Sequence, residues 1–346
     1  MVDTHTLIRW IGASRDPRAP KHWKSWSHPL LTMGAVWVSA AGIAIVVGDR
    51  MEAPVSDDKI VRPAVWRRRG MYLGTYLTAL VLARARDNGP IALYEFPWAC
   101  NVSMLLAVLG LVLPKQRPNL VGAAMASCCA DQVFWYVDFL GYAVLRKFVV
   151  GVAGYMVWPQ TSMVTRLTSL HHIWFIPLCA AYISEQSERP AAQLEDLVEA
   201  GEAIEVGARA GGEARSSSDG GRGGVLARRP ARGAFNAKVS YALSMVGVLV
   251  CSILSRVLTP YSVWSEKLGA VKYMNINLSY EMWRDVKIGF LHVLDGASAF
   301  VFTPALLLFY NVVNGPIYVA LLMGLKALRR RAAAKALATR RQLFSK

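Results

Sequence analysis

The sequence predicts an all-α fold, a polytopic transmembrane helical bundle with six to eight membrane helices. Hydrophobic residues make up 54% of the 346 positions and charged residues only 18%, which is a low share of charge for a soluble chain. The apolar residues are also concentrated in blocks, and a block of about 20 such residues can cross the hydrocarbon as a helix. The candidate blocks are residues 30–48, 71–83, 97–113, 119–137, 167–183, 239–257 and 297–325.

The number of crossings depends on two segments and stays open. Basic flanks mark the cytoplasmic side, and seven spans would place the basic N-terminal residues and the basic tail on opposite sides. An even number follows if block 71–83 is not a full span or if residues 139–158 add one. The latter segment carries Arg146 and Lys147 near its centre, which argues against a simple span. The last block contains Pro316, where a kink or a break is expected.

The formal net charge is +16, and the placement of the basic residues predicts contact with membranes and no binding of nucleic acid. The basic residues lie at the ends of apolar blocks instead of on one folded face, and the tail 326–346 holds eight lysines and arginines with no acid. Such flanks meet anionic lipid at the cytoplasmic face. We therefore expect a multi-pass protein of an endomembrane or the plasma membrane, with membrane lipids as its environment and candidate substrates.

A low-complexity segment separates two groups of apolar blocks. Its glycines, serines and charged residues cannot bury a core, so we expect a largely disordered linker. The first apolar block is expected to act as an uncleaved signal anchor. In chain order, the predicted parts are a basic N-terminal segment at 1–29, a front membrane bundle with a polar cavity at 30–183, the linker at 184–238, a rear membrane part at 239–325 with an interfacial loop at 255–296, and a basic tail at 326–346.

His171 and His172 lie side by side inside block 167–183 and are the strongest candidates for function. An imidazole at membrane depth costs free energy unless it meets a partner, a cavity or a ligand. Because neighbouring helical residues point about 100° apart, at most one of the pair is expected to face a given cavity. His172 is favoured because it shares a helix face with Ser169 and Cys179. The alternative is a structural histidine that is hydrogen-bonded to a neighbouring helix.

Cys100 begins a second polar cluster at the mouth of block 97–113. Asn101 and Ser103 accompany it within the first two turns of the predicted helix. A helix N-terminus favours a thiolate, and a thiolate beside a histidine is a nucleophile suited to acyl transfer. The alternative is an inert thiol, with Asn101 joining two helices by hydrogen bonds.

Asp131 and Asp138 form a third cluster, seven residues apart on one helix face with Trp135 between them. A buried carboxylate needs a partner, and Asp131 could orient a catalytic imidazole as the acid of a catalytic triad does. The alternative for Asp131 is a structural ion pair. Asp138 lies nearer the expected end of the helix, and we interpret it as structural. The candidate partners for such ion pairs are Arg146, Lys147 and Arg166.

The sequence predicts no metal ion, no cofactor and no disulfide bond. The five cysteines all lie in apolar blocks, their number is odd and no CxxC pair occurs. A set of oxygen and imidazole ligands shares one predicted helical face late in the interfacial loop. Basic residues lie among them, which favours a solvated interfacial helix over a metal site. These residues are Glu281, Asp285, His292 and Asp295.

The segment Phe96-Pro-Trp-Ala-Cys-Asn-Val-Ser, the later aspartate and the histidine pair resemble the YwaF-like family of bacterial integral membrane proteins and its eukaryotic relative, transmembrane protein 164. The resemblance covers residues 94–183, with a fainter trace in Lys272-Tyr-Met-Asn-Ile-Asn. It implies a membrane acyltransferase that moves fatty acyl chains between lipids. By position, it implies Cys100 as the acyl-accepting nucleophile and His172, or His171, as its base.

The leading functional hypothesis is therefore lipid acyl transfer at membrane depth. Cys100 would attack a lipid ester, His172 would move the proton and Asp131 would orient the imidazole. The first alternative is a transporter or channel in which Asp131 and the histidines form a proton or ion relay. The second is a non-enzymatic structural membrane protein whose polar residues join helices. The residues expected to line the cavity are Asn101, Ser103, Trp135, Asp138 and Ser169.

Overall fold

The computed structural model describes most of the chain, and the described part is mostly helical. The described residues are 21–22, 26–51, 60, 62–113, 117–187, 235–265, 270–274, 277, 289–294 and 297–344. Their helices, in chain order, are α1 (Ser27–Met51), α2 (Pro63–Asn88), α3 (Ala99–Val112), α4 (Pro118–Leu145), α5 (Met163–Ser169), α6 (His171–Gln186), α7 (Ala237–Leu258) and α8 (Ala299–Phe344).

Every predicted apolar block coincides with helix, although the helices and the blocks differ in length. Block 71–83 is the middle of α2, which begins at Pro63, where the missing N–H of proline costs no helical hydrogen bond. Block 167–183 is divided between α5 and α6 at Leu170. Helix α8 continues through Pro316, so the break expected at this residue does not occur. Apolar bundles tolerate such a proline when neighbouring groups satisfy the freed backbone carbonyl.

Four helices are long and apolar enough to cross a membrane: α1, α4, α7 and the Phe300–Ala332 part of α8. Residues Pro63–Glu95 and Ala99–Val112 form a bent pair with an angle of 91° and make a fifth crossing if the pair counts as one span. This architecture agrees with the predicted helical membrane class, whereas six to eight crossings are not established. One reason is length, because α3 and α6 have 14 and 16 residues and a single crossing needs about 20.

Helix α4 is the central helix of the described bundle. It packs against α3, α6, α7 and α8, and its residues 120–130 are all buried. Small residues allow this close packing: a Cβ atom added at Gly122 would overlap Phe235 and Ser240 at the start of α7. The predicted front and rear membrane parts therefore pack together into one bundle.

The structure contains a small three-stranded sheet that the sequence did not predict. Two of its strands lie in the region expected to be an interfacial loop, and the third is formed by residues 21–22. Val263 in this sheet packs against Ile91 and Tyr94 in the 3₁₀ turn Gly89–Glu95. The sheet thereby helps to fix the chain just before α3. The strands are β1 (Lys21–His22), which pairs parallel to β2 (Ser262–Ser265), and β3 (Ala270–Tyr273), which pairs antiparallel to β2.

Several predictions concern residues outside the described part of the chain. The predicted linker is described only at its two ends, where α6 ends at Gln186 and α7 begins at Ala237. Most of the predicted N-terminal segment is also outside the described residues. Of the proposed face formed by Glu281, Asp285, His292 and Asp295, only His292 is described, in the 3₁₀ turn Gly289–Leu294. The predicted basic tail continues α8 as far as Phe344.

A candidate thiol–imidazole site

Cys100, His171 and His172 come together in the structure. One ligand atom from each, the cysteine Sγ and one ring nitrogen per histidine, lie within 4.8 Å of one another. Cys100 is the second residue of α3, and the two histidines begin α6. The first turns of two helices thus place a thiol beside two imidazoles that are about 70 residues distant in the chain.

Both histidines face the thiol, so the expectation that only one of them would share a cavity is wrong. Their ring centroids are 4.1 Å apart and the rings are tilted by 35°. The 100° step along a helix separates the Cα–Cβ directions of neighbouring residues. The imidazole rings extend beyond Cβ and lean towards each other, so both reach the same space.

His171 is held in one tautomer by a backbone carbonyl. Its Nδ1 lies 2.7 Å from the carbonyl oxygen of Thr168, and because a carbonyl can only accept, Nδ1 carries the hydrogen. The lone pair is therefore on Nε2, which is buried and has no hydrogen-bond partner among the described residues. The His171 residue is only 2% exposed. Its orientation and its free nitrogen are those of a general base.

His172 stacks on an aromatic column that includes Trp135. The rings of His172 and Trp135 have centroids 5.6 Å apart with an angle of 28°, and Trp135 stacks in turn on Phe139 at 5.3 Å. Within the described part of the chain, the buried Nδ1 of His172 has no hydrogen-bond partner. Sequence reasoning favoured His172 over His171, but the structure gives a fixed tautomer only to His171.

Arg84 is a buried cation at this site that sequence reasoning missed. It is 9% exposed and donates hydrogen bonds from Nε to Thr168 Oγ1 at 2.9 Å and from its guanidinium to Ser169 Oγ at 3.1 Å. Thr168 is the residue whose carbonyl holds His171. Ser169, a predicted cavity residue, is thus engaged by Arg84 and also donates to the carbonyl of Thr165 at 2.8 Å.

Glu95 balances the charge of Arg84 and links it to the sheet. Its carboxylate pairs with Arg84 at 3.4 Å and with the ammonium of Lys272 in β3. The three groups form an ion network in which each charge has an opposite neighbour, as buried or partly buried charges require. Arg84 directly follows block 71–83, so in the sequence it is indistinguishable from a cation at the end of a membrane span.

Asn277 fixes the start of α3 by hydrogen bonds. Its Oδ1 accepts a hydrogen bond from the backbone N–H of Ala99 at 2.7 Å, and its Nδ2 donates to the Pro97 carbonyl at 2.7 Å and to Ser255 Oγ at 2.8 Å. Its φ of 54° is in the left-handed region, which asparagine tolerates better than most residues. The faint sequence trace around Lys272 therefore contacts the segment that leads into Cys100.

Asn101 and Ser103 accompany Cys100 on α3 with different roles. The Asn101 side chain donates to the carbonyl of Glu95 at 3.0 Å, so it closes the turn before its own helix instead of joining two helices. Ser103 is buried, and its hydroxyl has no hydrogen-bond partner among the residues that the structure describes. Of the two, Ser103 keeps an unused polar atom one turn along the helix from the thiol.

Asp138 is a structural residue, and the expectation that it lines the cavity is wrong. Its carboxylate accepts four hydrogen bonds of 2.6 to 3.0 Å from the backbone N–H groups of three residues after α4. These bonds occupy both oxygens and shape the loop that leads to α5. The structural interpretation was right, but the partners are backbone amides and not basic side chains; they belong to Val150, Gly151 and Ala153.

Asp131 does not orient an imidazole in the described structure. It is partly buried on α4 and close enough to Cys100 for an electrostatic interaction, but it has no hydrogen bond to a described residue. The expected role of Asp131 in holding the histidine is filled by the Thr168 carbonyl. The contact is local in the sequence, because Thr168 lies only three residues before His171.

Tyr155 is a second residue that sequence reasoning missed. It lies in the 3₁₀ turn Gly154–Val157, and its hydroxyl is within reach of Ser169 and beside Trp135. Burial is the main cause that raises the pKa of this hydroxyl, so it stays protonated and can donate a hydrogen bond. No local sequence signal marks Tyr155, because the loop between α4 and α5 brings it back over the site.

Comparison with protein-family models, with curated proteins and with solved structures finds no match to this chain. The resemblance to the YwaF-like family therefore stays a prediction. What the site offers chemically is a thiol, two imidazoles and a buried cation within one helical bundle.

Proposed function

We propose that the protein is an integral membrane enzyme that transfers acyl chains between lipids, with Cys100 as its nucleophile. The observation that carries this proposal is the approach of the Cys100 sulfur to ring nitrogens of His171 and His172 within 4.8 Å. At this separation a side-chain rotation or one bridging water is enough for proton transfer. A thiol next to a base is the arrangement that covalent acyl transfer needs.

In the first half-reaction, the thiol of Cys100 attacks the carbonyl carbon of a lipid ester while His171 Nε2 takes its proton. The sulfur–carbon bond forms, the ester carbon–oxygen bond breaks, and the imidazolium returns the proton to the leaving alcohol. The products are a thioester on Cys100 and a lipid that has lost one acyl chain. Because a buried site disfavours separated charges, proton transfer accompanies the attack.

In the second half-reaction, a hydroxyl of an acceptor lipid gives its proton to the imidazole and attacks the thioester. The new ester bond forms, the carbon–sulfur bond breaks, and the sulfur regains the proton from the imidazolium. The enzyme returns to its starting state without a cofactor or an oxidant. Either histidine can take this role, and His171 is favoured because Thr168 fixes its tautomer.

Two positive features support the negative charge that develops during each attack. Cys100 is in the first turn of α3, where the helix dipole is positive. The buried Arg84 interacts electrostatically with Cys100 and is held in place by Thr168, Ser169 and Glu95. Fixed positive groups of this kind stabilise a tetrahedral oxyanion more than they stabilise the neutral ester.

An apolar route from lipid to the site supports a lipid substrate. Phe139 is 48% exposed on the outside of α4 and stacks on Trp135, which stacks on His172. Ile173, the residue after His172, is also exposed on α6. An acyl chain can thus follow apolar side chains from the lipid-facing surface to the imidazole.

We also propose a topology with six crossings. It counts the bent pair of α2 and α3 as one span and α5 with α6 as another, in addition to the four long helices. The exposed basic residues in the C-terminal part of the last crossing segment, Lys326, Arg330 and Arg331, suit anionic lipid at the cytoplasmic face. A transporter with a relay through Asp131 is the less favoured hypothesis, because no hydrogen bond among the described residues joins Asp131 to a histidine.

The experiment is acyl transfer by the purified full chain in vesicles that contain a labelled diacyl phospholipid and an unlabelled lysophospholipid. Wild-type protein is expected to move label to the acceptor and to carry a hydroxylamine-sensitive acyl group on Cys100. Cys100→Ala should abolish both signals, and His171→Gln should slow transfer by about 10²- to 10⁴-fold, the usual contribution of a general base. Cys251→Ala, which removes another buried thiol on α7, is the matched control and should transfer normally. Equal transfer by wild type and Cys100→Ala, or no transfer by either, would overturn the proposal.

A further inference from the structure

We infer that Cys100, His171 and His172 also form a binding site for a zinc-class metal ion, and that a bound ion blocks acyl transfer. Among the described residues, they are the one group of three cysteine, histidine or acidic side chains whose ligand atoms converge in this way. The ion site itself does not depend on the proposed function. Its inhibitory effect rests on the proposed function, because the ion would occupy the atoms that perform the transfer.

The ligand set suits a borderline-soft ion. A thiolate and two neutral imidazoles are ligands that Zn²⁺ and Co²⁺ share, whereas Mg²⁺ and Ca²⁺ select oxygen. Bonds to zinc of about 2.3 Å from sulfur and about 2.0 Å from nitrogen place ligand atoms roughly 3.5 Å apart in a tetrahedron. The present spacing within 4.8 Å closes to that value by small side-chain rotations. Three protein ligands leave one position open, as in catalytic zinc sites.

Two buried ring nitrogens at the site lack partners, which is a second observation that points to a ligand. His171 Nε2 and His172 Nδ1 are buried and have no hydrogen-bond partner among the described residues. A buried polar atom without a partner destabilises the folded state, and coordination of a metal ion removes that cost. Each of these atoms belongs to a histidine in the converging group.

The surroundings of His171 are those of a metal ligand. Its other nitrogen donates to the Thr168 carbonyl, which is the hydrogen bond that fixes the tautomer of most metal-binding histidines. The positive charge of Arg84 disfavours a second cation at this site. Two negative charges offset it, because Glu95 pairs with Arg84 and the coordinated thiolate is an anion. Asp131 interacts electrostatically with Cys100 and adds a second carboxylate near the site.

Coordination and acylation exclude each other. A sulfur bound to zinc cannot form a thioester without leaving the ion, and imidazole lone pairs bound to zinc cannot accept the thiol proton. An ion at the site therefore inhibits transfer and protects Cys100 from alkylation. Acylated Cys100, in turn, offers no thiolate and cannot hold the ion.

The test is titration of the metal-free, purified full chain in detergent with Co²⁺ in the absence of lipid. We expect one Co²⁺ per chain, with a thiolate-to-cobalt charge-transfer band that Zn²⁺ removes. Cys100→Ser should lose the charge-transfer band, and His171→Gln and His172→Gln should each weaken binding by at least about tenfold, the scale of losses around metal sites. Cys179→Ser on the same helix as the histidines is the matched control and should bind normally.

A wild-type chain without the charge-transfer band, or an unchanged band in Cys100→Ser, would overturn the inference. Retained melting temperatures of the variants show that a lost band reports the ligand and not unfolding. Since the titration contains no lipid, its failure leaves acyl transfer untouched. A normal titration with no transfer would instead remove the proposed function and keep the ion site.

Discussion

At the residue scale, the site depends on a few hydrogen bonds that fix side chains before any ligand arrives. The Thr168 backbone holds His171 and the Thr168 hydroxyl accepts from Arg84, so one residue positions both the imidazole and the guanidinium. Arg84 also reaches Ser169 and Glu95. The planar guanidinium of Arg84 can donate to all three residues at the same time, which a lysine ammonium in this position cannot do.

Arg84→Lys is expected to destabilise the protein by about 1 to 3 kcal/mol, because Thr168 or Ser169 loses its donor and Glu95 loses part of its compensation. The matched control is Arg86→Lys, which changes an exposed arginine on the same helix and should have an effect within about 0.5 kcal/mol. The measurement is unfolding of both variants in the same detergent. Equal stability of the two variants would contradict the role given to Arg84.

At the element scale, helix α2 approaches α3 through a glycine. A Cβ atom added at Gly70 would lie 2.6 Å from Leu111 Cβ and 2.8 Å from Val112 Cγ2, at the end of α3 opposite to Cys100. Such distances are shorter than real side-chain contacts, so the helices would have to separate. The glycine therefore sets the spacing of the bent pair that carries Arg84 and Cys100.

Gly70→Ala is expected to cost about 1 to 3 kcal/mol through overpacking. Gly42→Ala on α1 is the matched control, because nothing lies within 4 Å of the added Cβ atom. The control should be neutral or more stable by about 0.5 to 1 kcal/mol, since alanine favours a helix over glycine. Thermal unfolding of the two variants under identical conditions measures the difference. A Gly70→Ala protein as stable as Gly42→Ala would show that the two helices can separate without cost.

At the scale of the whole molecule, α4 organises the bundle. Helices from the front part and from the rear part pack against it, and its buried face consists largely of small residues. Asn314 of α8 accepts a hydrogen bond from the backbone N–H of Ala130 at 3.0 Å, which fixes the rear part to this centre. The site lies where α4 is contacted by α3 and α6, so an intact bundle is a condition for its geometry.

The proposed six-crossing topology predicts that Trp26, just before α1, and Ala334, late in α8, lie on the same side of the membrane. Trp26→Cys and Ala334→Cys introduce exposed positions for labelling with a membrane-impermeant maleimide in sealed vesicles. Both should react, or both should be protected. The unsubstituted chain is the control for labelling of its native cysteines. Labelling of one position and not the other implies an odd number of crossings and contradicts the six-crossing topology.

Local sequence patterns were sufficient for the helices and for the first members of the site. Each apolar block became helix because its residues are apolar over several consecutive turns. Cys100 and the histidine pair were identifiable because polar residues are rare in such blocks. Arg84 and Tyr155 were not identifiable, since one resembles a flanking cation and the other an ordinary loop aromatic.

The carboxylates show the limit of reasoning from spacing. Asp131 and Asp138 are on the same helix, seven residues apart, and the sequence could not tell which would find a partner. The loop after α4 folds back on Asp138 with its backbone N–H groups. Which of the two carboxylates finds partners therefore depends on the path of this loop. The spacing of residues along the sequence does not encode that path.

The sequence by itself determined the helical membrane class, the seven apolar blocks and the residue types that are candidates for chemistry. Only the tertiary structure decided which of these candidates meet: Cys100 with both histidines, Arg84 with Glu95, and Asn277 with the start of α3. The physical reason is the range of the interactions. Hydropathy acts along a few turns of one helix, whereas the site is made by helix ends that pack across the bundle.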